Sequence, residues 1–502
     1  MGIVANQSIK NSIYMYIGMF FGALSVVVFY PNVFNDNPEN LGLLRIIVAY
    51  STIIHTFTYL GAPRIIIRFF PKVDDKDQLV SLSFLIPLIG FILFVLFYYL
   101  FNDIFFSFFP QDDMFRKNFH FVFILVLLLS FYEILSSLSR SLLDATVPVF
   151  LREIFLKGSF LVLLALHWID LISFYTFLSL YISIYFMMII ILIYTVFKEY
   201  SYRPTLNFNN IESRRIIRYG IYVLVGGSSA MIVSKVDMIM IGVIMPNLEH
   251  VAYYSIPFFI GNSVLIPSRA IASITSPLIA KAWKQNDIQK IKEIYVKSAL
   301  NQFLFGGIIF LIIWLNIDHG LSILPEKFNG EGVKLVILFI GLSKLFNVAT
   351  GVNGQIIINS KYYRFDLYSN LLLLFITILT NYIFIQQENP LFSYGIHGIA
   401  GAAFATAISV FIFNSLKMIF LYYKLDMQPF NLNNVKLLLL MLTSYLLVSV
   451  IPIDDFIENI YLNIFIRCGA LMILFIPLTI AFKISIDINR IFINIWNYLK
   501  GG

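Results

Sequence analysis

The stretch VSKVDMIMIG, residues 233–242, places two full charges inside a segment that is otherwise apolar enough to lie in a lipid bilayer. Lys235 and Asp237 are two positions apart, so on a helix their side chains point about 200° away from each other. Neither side chain is therefore well placed to neutralise the other. Charges that remain in hydrocarbon usually face the interior of a helix bundle or an aqueous cavity.

The whole chain has the composition of a membrane protein. Of 502 residues, 59% are hydrophobic and 13% are charged, and the mean hydropathy is +0.84. Ordinary soluble domains have roughly 25% charged residues. The net charge of +7 comes without a basic arm, a zinc pattern or an aromatic-basic platform, so we expect no nucleic-acid partner. The single cysteine, Cys468, excludes an intramolecular disulfide.

Apolar runs of about 20 residues, bounded by charges, prolines and asparagines, indicate membrane-spanning helices. Fourteen are predicted, near residues 12–30, 42–62, 79–101, 118–139, 149–167, 171–197, 216–243, 251–268, 299–315, 334–352, 367–385, 396–422, 437–453 and 459–482. We read the first as a retained span and not a signal peptide, because no small-x-small cleavage site follows it. The predicted fold is an all-α polytopic membrane protein.

The most hydrophilic internal segment, residues 198–215, follows the sixth predicted span and is typical of a linker between two halves. We predict a first lobe of six helices at 1–200 and a second lobe of six helices at 201–430. A final pair of helices and a tail occupy 431–502. The loops after the second and eighth spans are similar around Asp77 and Asp287. This similarity favours a parallel repeat, which in transporters places the substrate path at the repeat interface.

Basic residues alternate from loop to loop as the positive-inside rule requires. Most of the 35 Lys and Arg residues, Arg152 and Lys417 among them, fall on one side of the membrane. The loops of the other side hold Arg116, Lys117, Lys327 and Lys334. The alternation supports an even number of spans and predicts that both termini and the 198–215 linker are cytoplasmic.

After the residues assigned to the loops are set aside, we place six charged residues in the interior of the predicted spans: Arg45, Lys235, Lys344, Arg467, Glu133 and Asp237. Each costs about 2.5–3.5 kcal/mol at the centre of a spanning helix, so such residues usually serve a cavity or a partner helix. The four cations are our candidates for a substrate cavity, although the two arginines lie close enough to a helix end to reach lipid headgroups. The two acids are candidates for coupling to H⁺ or Na⁺. Salt bridges between helices are the alternative role for these acids.

Catalytic and cofactor motifs are absent from the sequence. It contains no G-x-x-x-x-G-K-[ST] phosphate loop, no H-E-x-x-H and no G-x-S-x-G. None of the predicted outer loops is long enough to hold an extramembrane catalytic constellation. We therefore expect a transporter and not an enzyme, with no cofactor and no metal.

Several motifs, in order, resemble those of a known family. The segment SKVDMIMIGVIMPNLEHVAYYSIPFFIGN (234–262) has an Asp-x3-apolar-Gly…Tyr-Ser pattern, and SPLIAKAWKQNDIQKIKEIYVKS (276–298) has a proline-led loop. GVNGQIIINSKYYRFDLYSNLLLLFITILTNYIFI (351–385) and YGIHGIAGAAFATAIS (394–409) follow. In the first half, LGAPRIIIRFFPK (60–72) and DATVPVFLREIFLKG (144–158) are similar in kind. The chain resembles the polysaccharide-exporter, or lipid-linked oligosaccharide flippase, branch of the multidrug/oligosaccharidyl-lipid/polysaccharide (MOP) flippase superfamily.

The resemblance implies two MATE-like six-helix lobes around a central cavity, two additional carboxyl-terminal helices, and alternating access. It also implies a cargo, an isoprenoid-diphosphate-linked oligosaccharide, moved from the cytoplasmic to the periplasmic leaflet of a bacterial inner membrane. Such cargo serves surface polysaccharide synthesis, whether O-antigen lipopolysaccharide, capsule or exopolysaccharide. Cavity cations suit a diphosphate, because charge interactions are strong in a low dielectric.

Three alternatives remain open. A cation-coupled multidrug antiporter of the same superfamily is expected to favour acids over bases in its cavity. A peptidoglycan lipid-precursor flippase is also fourteen-spanning and cationic inside. A membrane-embedded glycan polymerase or ligase is the most distant alternative.

Overall fold

The computed structural model describes residues 3–101, 109–110, 112–209, 211–485, 487 and 489–490. In this part of the chain every regular element is a helix, which confirms the predicted all-α class. Contacts divide the chain into two units, Met1–Ile256 and Pro257–Gly502.

The first unit is built from long helices joined by short turns. They are α1 (Ile3–Ala23), α2 (Tyr30–Val33), α3 (Pro38–Thr58), α4 (Ala62–Phe69), α5 (Lys76–Leu100), α6 (Asp113–Lys117), α7 (His120–Ser141), α8 (Thr146–Phe150), α9 (Leu156–Trp168), α10 (Phe174–Glu199) and α11 (Ser213–Ile244). Two π-helical segments, Leu24–Phe29 and Leu151–Phe155, join α1 to α2 and α8 to α9.

Helix α12 (Glu249–Asn262) begins in the first unit and ends in the second. The second unit continues with α13 (Ile266–Lys284), α14 (Ile288–Leu315), α15 (Ile317–Ser322), α16 (Val333–Ala349), α17 (Asn353–Ile358), α18 (Tyr363–Ile385), α19 (Gly398–Leu425), α20 (Leu432–Ser449) and α21 (Ile460–Ala481). Short 3₁₀ turns lie at Ser263–Leu265, Glu326–Phe328, Phe392–Tyr394 and Ile453–Asp455.

Every one of the fourteen predicted spans falls on a helix. By length and composition alone, ten of the described helices can cross a membrane, or up to eleven if one bent pair, Glu249–Ala272 with Ile274–Lys284, is a single span. Two of the other predicted spans have a simple reason for falling short. The 149–167 span holds three charged residues, Arg152, Glu153 and Lys157, and α16 has only 17 residues.

In each unit an aspartate side chain caps the start of a long helix, α5 in the first unit and α14 in the second. Asp75 accepts a hydrogen bond from the Gln78 backbone at 3.2 Å, and Asp287 accepts one from the Lys290 backbone at 2.9 Å. Each side chain caps the first turn of its helix. The residue that matches Asp287 is therefore Asp75 and not Asp77, the residue paired with it from sequence.

Asp77 instead holds the linker that follows α10. The Tyr200 hydroxyl donates to Asp77 Oδ1 at 2.5 Å, and the Tyr202 hydroxyl lies 2.8 Å from Ser81 Oγ. Burial and the adjacent Asp77 carboxylate raise the pKa of the Tyr200 phenol above its usual range. These contacts fix the start of the hydrophilic 198–215 segment on the first unit.

The contact boundary after Ile256 lies beyond the lobe boundary predicted at residue 200. The physical reason is that α11 packs against α3 and α4. Gly220 of α11 and Gly61 approach so closely that a Cβ on Gly61 would lie 2.5 Å from the Gly220 carbonyl oxygen. Contacts alone do not decide the repeat to which α11 belongs, so the division into lobes at 1–200, 201–430 and 431–502 stays a prediction.

Close helix packing in the second unit depends on Gly401. A Cβ at this position of α19 would lie 1.8 Å from the Phe384 carbonyl oxygen of α18. Small residues allow spanning helices to approach in this way.

We expect Gly401→Ala to lower the thermal stability of the purified protein, because an added methyl group in a filled contact typically costs about 1–3 kcal/mol. The melting temperature in detergent, followed by the intrinsic fluorescence of tryptophan and tyrosine, measures the effect. Gly469→Ala is the matched control, since nothing lies within 4 Å of a Cβ at that helical position of α21. An equal melting temperature for both variants would contradict the proposed contact.

Candidate functional site

Arg45 lies on α3 with its guanidinium over the Tyr30 ring, 4.7 Å from the ring centroid. Its Nε atom is buried and forms no hydrogen bond within the described residues. Arg45 likewise forms no ion pair in that part of the chain. An arginine held on an aromatic ring, with a buried donor to spare, is well suited to bind an anion.

Lys235 lies on α11 and is half-buried. The charged groups that act on it electrostatically are Arg45 and Arg152, both cations. In the described residues Lys235 has no ion-pair partner. Two positive charges of the first unit, Arg45 and Arg152, therefore lie within electrostatic range of Lys235.

Arg152 was assigned to a cytoplasmic loop from sequence, but the structure places it in the π-helical Leu151–Phe155 beside α7. Its Nη1 atom lies 3.1 Å from Glu133 Oε1, and Arg140 Nη2 lies 4.0 Å from Glu133 Oε2. The Arg152 side chain is 59% accessible, so water reaches it. Glu133 is thus the anion within this group of cations.

Three buried tyrosines complete the surroundings: Tyr30, Tyr181 and Tyr185. The hydroxyls of Tyr181 and Tyr185 lie 3.1 Å apart. Arg45 acts electrostatically on Tyr30 and Tyr181, and Arg152 acts on Tyr185. We call Arg45, Arg152, Lys235 and Glu133, together with these tyrosines, the cationic cluster. Sequence analysis did not identify the tyrosines, because aromatic residues in apolar spans carry no distinguishing signal.

Asp237 does not join the cationic cluster. It is only 5% exposed, and the Tyr254 hydroxyl of α12 donates to its Oδ2 atom at 2.7 Å. Lys235 lies within electrostatic range of Arg45 and Arg152, whereas Asp237 binds Tyr254 of α12. The two side chains thus have different neighbours, as expected for helical positions two residues apart, which point about 200° away from each other. Its ion-coupling role stays a prediction.

His55 of α3 is buried, and Arg152 acts on it electrostatically. Its Nδ1 atom forms no hydrogen bond in the described part of the chain. The imidazole ring packs against Tyr59 with the ring centroids 5.2 Å apart.

The second unit contains the other two predicted cavity cations. Lys344 on α16 is half-buried, with its Nζ atom 5.9 Å from the centroid of the Phe258 ring. Arg467 on α21 is 8% exposed and donates to Asp454 Oδ2 at 2.7 Å and to Asn463 Oδ1 at 2.8 Å. Arg467 thus already has a carboxylate partner, and its substrate role, like that of Lys344, stays a prediction.

Lys417, counted from sequence among the loop cations, lies inside α19 with 4% of its surface exposed. Its Nζ atom lies 2.6 Å from Asp366 Oδ1 and 4.1 Å from the centroid of the Phe413 ring. Sequence analysis missed this pair, although Lys417 lies within the predicted 396–422 span. Among the described residues no group of three or more His, Cys, Asp or Glu side chains could hold a metal ion.

The apolar helices and the charges buried among them define a multi-pass membrane protein. The chain is similar to the lipid II flippase MurJ in an inward closed conformation, with a TM-score of 0.70 at 14% identity, covering 95% of this chain and 98% of that one. An inward-facing multidrug resistance MATE family transporter gives a TM-score of 0.63 at 13% identity, covering 82% and 98%.

A third structure, a MOP superfamily transporter from Pyrococcus furiosus with a binding pocket of reverse polarity, gives a TM-score of 0.56 at 15% identity, covering 84% and 95%. These likenesses establish the fold. The family model described as polysaccharide biosynthesis protein matches residues 8–283, more than half of the sequence. The chain belongs to that family. No curated protein matches the sequence.

We expect Tyr254→Phe to lower the thermal stability of the protein, because the substitution removes the hydroxyl that binds the buried Asp237 carboxylate. Loss of one partner of a buried polar group costs about 1–3 kcal/mol, and more for a charged group. The adjacent Tyr253→Phe is the matched control, since its hydroxyl makes a longer 3.3 Å contact with Glu249 near the helix start. Melting curves in detergent that show equal shifts for the two variants would refute the structural role of Tyr254.

Proposed function

We propose that this protein is a flippase that moves an isoprenoid-diphosphate-linked oligosaccharide across a bacterial inner membrane by alternating access. The direction is from the cytoplasmic to the periplasmic leaflet, with both termini cytoplasmic, and the cargo serves surface polysaccharide synthesis. The protein is a transporter and not an enzyme. The observation that carries the proposal is the cationic cluster, where Arg45 and Arg152 act electrostatically on Lys235 and Glu133 is paired with Arg152.

The charge of the cationic cluster matches a diphosphate. Arg45 and Lys235 have no anionic partner among the described residues, and Arg152 has only Glu133. Cations in a membrane interior are unfavourable unless an anion or water compensates them. A diphosphate bound here receives charge-assisted hydrogen bonds in a medium of low dielectric. Lys344 and Arg467 of the second unit are proposed separately as substrate contacts of that unit.

The buried tyrosines of the cationic cluster suit the other parts of the cargo. Their rings offer apolar faces for an isoprenoid or a sugar ring, and the phenol groups offer hydrogen bonds. A cationic drug, in contrast, meets like charges in this interior. The multidrug antiporter alternative is therefore disfavoured on electrostatic grounds.

A flippase for a peptidoglycan lipid precursor is the second candidate function. Lipid II also carries a diphosphate, and the fold similarity to a lipid II flippase is high at a TM-score of 0.70. The cationic cluster fits either cargo. Assays with lipid II and with other isoprenoid-diphosphate oligosaccharides as separate substrates distinguish the two.

We expect the triple variant Arg45→Gln, Arg152→Gln and Lys235→Gln to lose transport by about tenfold or more, because each charge-assisted hydrogen bond contributes roughly 1.5–3 kcal/mol. The measurement is the sidedness of isoprenoid-linked oligosaccharide in cells that depend on this gene, with expression verified. Cytoplasmic accumulation is the expected result.

The control removes the same number of positive charges from exposed positions of the second unit, through Lys284→Gln, Lys361→Gln and Lys424→Gln. It should transport normally. Full activity of the cationic-cluster triple would contradict the proposal. New glycosidic bonds made by the purified protein would instead support the polymerase or ligase alternative.

The coupling ion, H⁺ or Na⁺, is proposed to act at Glu133 or Asp237. Glu133 is paired with Arg152, so its protonation would release that arginine. Asp237 is held by Tyr254, so its neutralisation would weaken the contact between α11 and α12. Both events change contacts made by a carboxylate, as a coupled transporter requires.

We expect Glu133→Gln or Asp237→Asn to make transport independent of an imposed gradient while leaving cargo binding intact. Proteoliposomes with a proton gradient, a sodium gradient or neither provide the measurement. The variant that retains the gradient response serves as the control for the one that loses it. If both variants respond like the unmodified protein, neither acid is the coupling site.

A further inference from the structure

A second cationic feature of the first unit lies away from the cationic cluster, where α4 ends and α11 begins. The side chains of Arg68, Lys72, Arg215 and Arg218 line a cleft of about 590 Å³. Asp74 and Glu212 are the acids of its lining, and Glu212 is paired with Arg215 at 3.0 Å. Arg68, Lys72 and Arg218 form no ion pair within the described residues.

The arginine at the end of α4 is held in place. Its guanidinium lies over the Tyr219 ring at 4.2 Å from the centroid and near the Phe69 ring at 5.7 Å. Stacking occupies the face of the guanidinium plane and leaves the N–H edge available for hydrogen bonds. A surface arginine surrounded by water can adopt many orientations, whereas stacking holds the Arg68 guanidinium in one. Arg68 is therefore preorganised to bind an oxyanion.

The charges on α11 are opposite to those that a helix start favours. Its first turn holds no acidic residue, and the Glu212 side chain makes no capping hydrogen bond. Arg215 and Arg218 lie where the helix dipole is positive, which disfavours cations. An anion in the cleft would compensate both the dipole and the side-chain charges.

A comparable cleft in the second unit has the favourable arrangement. Lys284 and Lys424 line it, and they lie in the last turns of α13 and α19, where the helix dipole is negative. These lysines are stabilised by their own helices. The cleft of the first unit lacks this compensation.

Apolar side chains beside the first cleft indicate the kind of anion. Ile221 is 48% exposed and Tyr222 is 47% exposed on the same helix surface, one turn beyond Arg218. Tyrosine next to exposed aliphatic side chains is typical of the level where lipid headgroups meet acyl chains. We propose that the cleft formed by Arg68, Lys72, Arg215 and Arg218 binds the phosphate headgroup of an anionic membrane lipid.

The test is binding of phosphatidylglycerol to the full-length purified protein, measured as the rise in melting temperature with added lipid. A ligand that binds only the native state raises its stability by an amount that grows with the logarithm of the ligand concentration relative to Kd. Lys72→Gln with Arg218→Gln is the test variant, because both side chains are exposed and neither forms an ion pair among the described residues. We expect its apparent affinity to fall about tenfold or more.

The matched control is Lys284→Gln with Lys424→Gln, which removes the same charge from the second cleft and should keep the affinity of the unmodified protein. Arg68→Lys keeps the charge but loses the planar fork, so an intermediate affinity is expected. Equal losses in the test and control variants would overturn the proposal, since they would show attraction to net charge alone.

Three further ligands identify the source of the phosphate. Phosphatidylcholine should change the melting temperature of the unmodified protein and of the Lys72→Gln, Arg218→Gln variant by the same amount. An isoprenoid diphosphate that displaces phosphatidylglycerol supports the site and identifies the transported lipid as its occupant. Inorganic phosphate that matches phosphatidylglycerol at equal concentration overturns the assignment to a lipid. None of these outcomes depends on transport, so they stand apart from the proposed function.

Discussion

The poor solvation of charge inside a membrane is the constraint on which the interior of this protein depends. A cation in hydrocarbon is unfavourable by several kcal/mol, so a chain keeps one only where a partner, water or a ligand compensates it. The first unit keeps Arg45, Arg152 and Lys235 near one another with Glu133 as the acid among them. Its apolar helix packing must offset the repulsion whenever no anion is bound.

Other buried charges of the chain follow a different rule. Asp237 receives the Tyr254 hydroxyl, Lys417 lies 2.6 Å from Asp366, and Arg467 binds Asp454. A buried polar group with a partner that matches it fixes two elements together, and removing one partner is more damaging than removing both. The contrast separates structural charges from the cations of the cationic cluster.

The sequence is sufficient to predict the helices, because hydropathy depends only on local composition. All fourteen predicted spans fall on helices, and Arg45, Lys235, Glu133 and Asp237 were identified as intramembrane charges. Hydropathy gives the depth of a residue but not the direction of its side chain. It therefore could not show that Asp237 faces Tyr254 while Lys235 faces two cations.

The residues that the sequence misplaced lie near helix ends. Arg152 was counted with the loop because its span begins only a few residues earlier, yet the π-helical segment holds it against Glu133. A π-helical turn contains an extra residue and so rotates the side chains that follow it, which an ideal helical period does not anticipate. Lys417 was misplaced for the simpler reason that a cation was assumed to belong to the loop.

The pair formed by Arg152 and Glu133 gives one cation of the cationic cluster a carboxylate partner when no other anion is bound. Because the Arg152 side chain is largely exposed, this pair contributes little to stability by itself, and exchange of one anionic partner for another does not leave a bare charge. A diphosphate that approaches Arg152 can replace Glu133 in such an exchange, provided that Glu133 then takes up a cation or turns to Arg140, 4.0 Å away. In the proposed flippase, binding of the cargo and release of Glu133 would then be linked through one arginine.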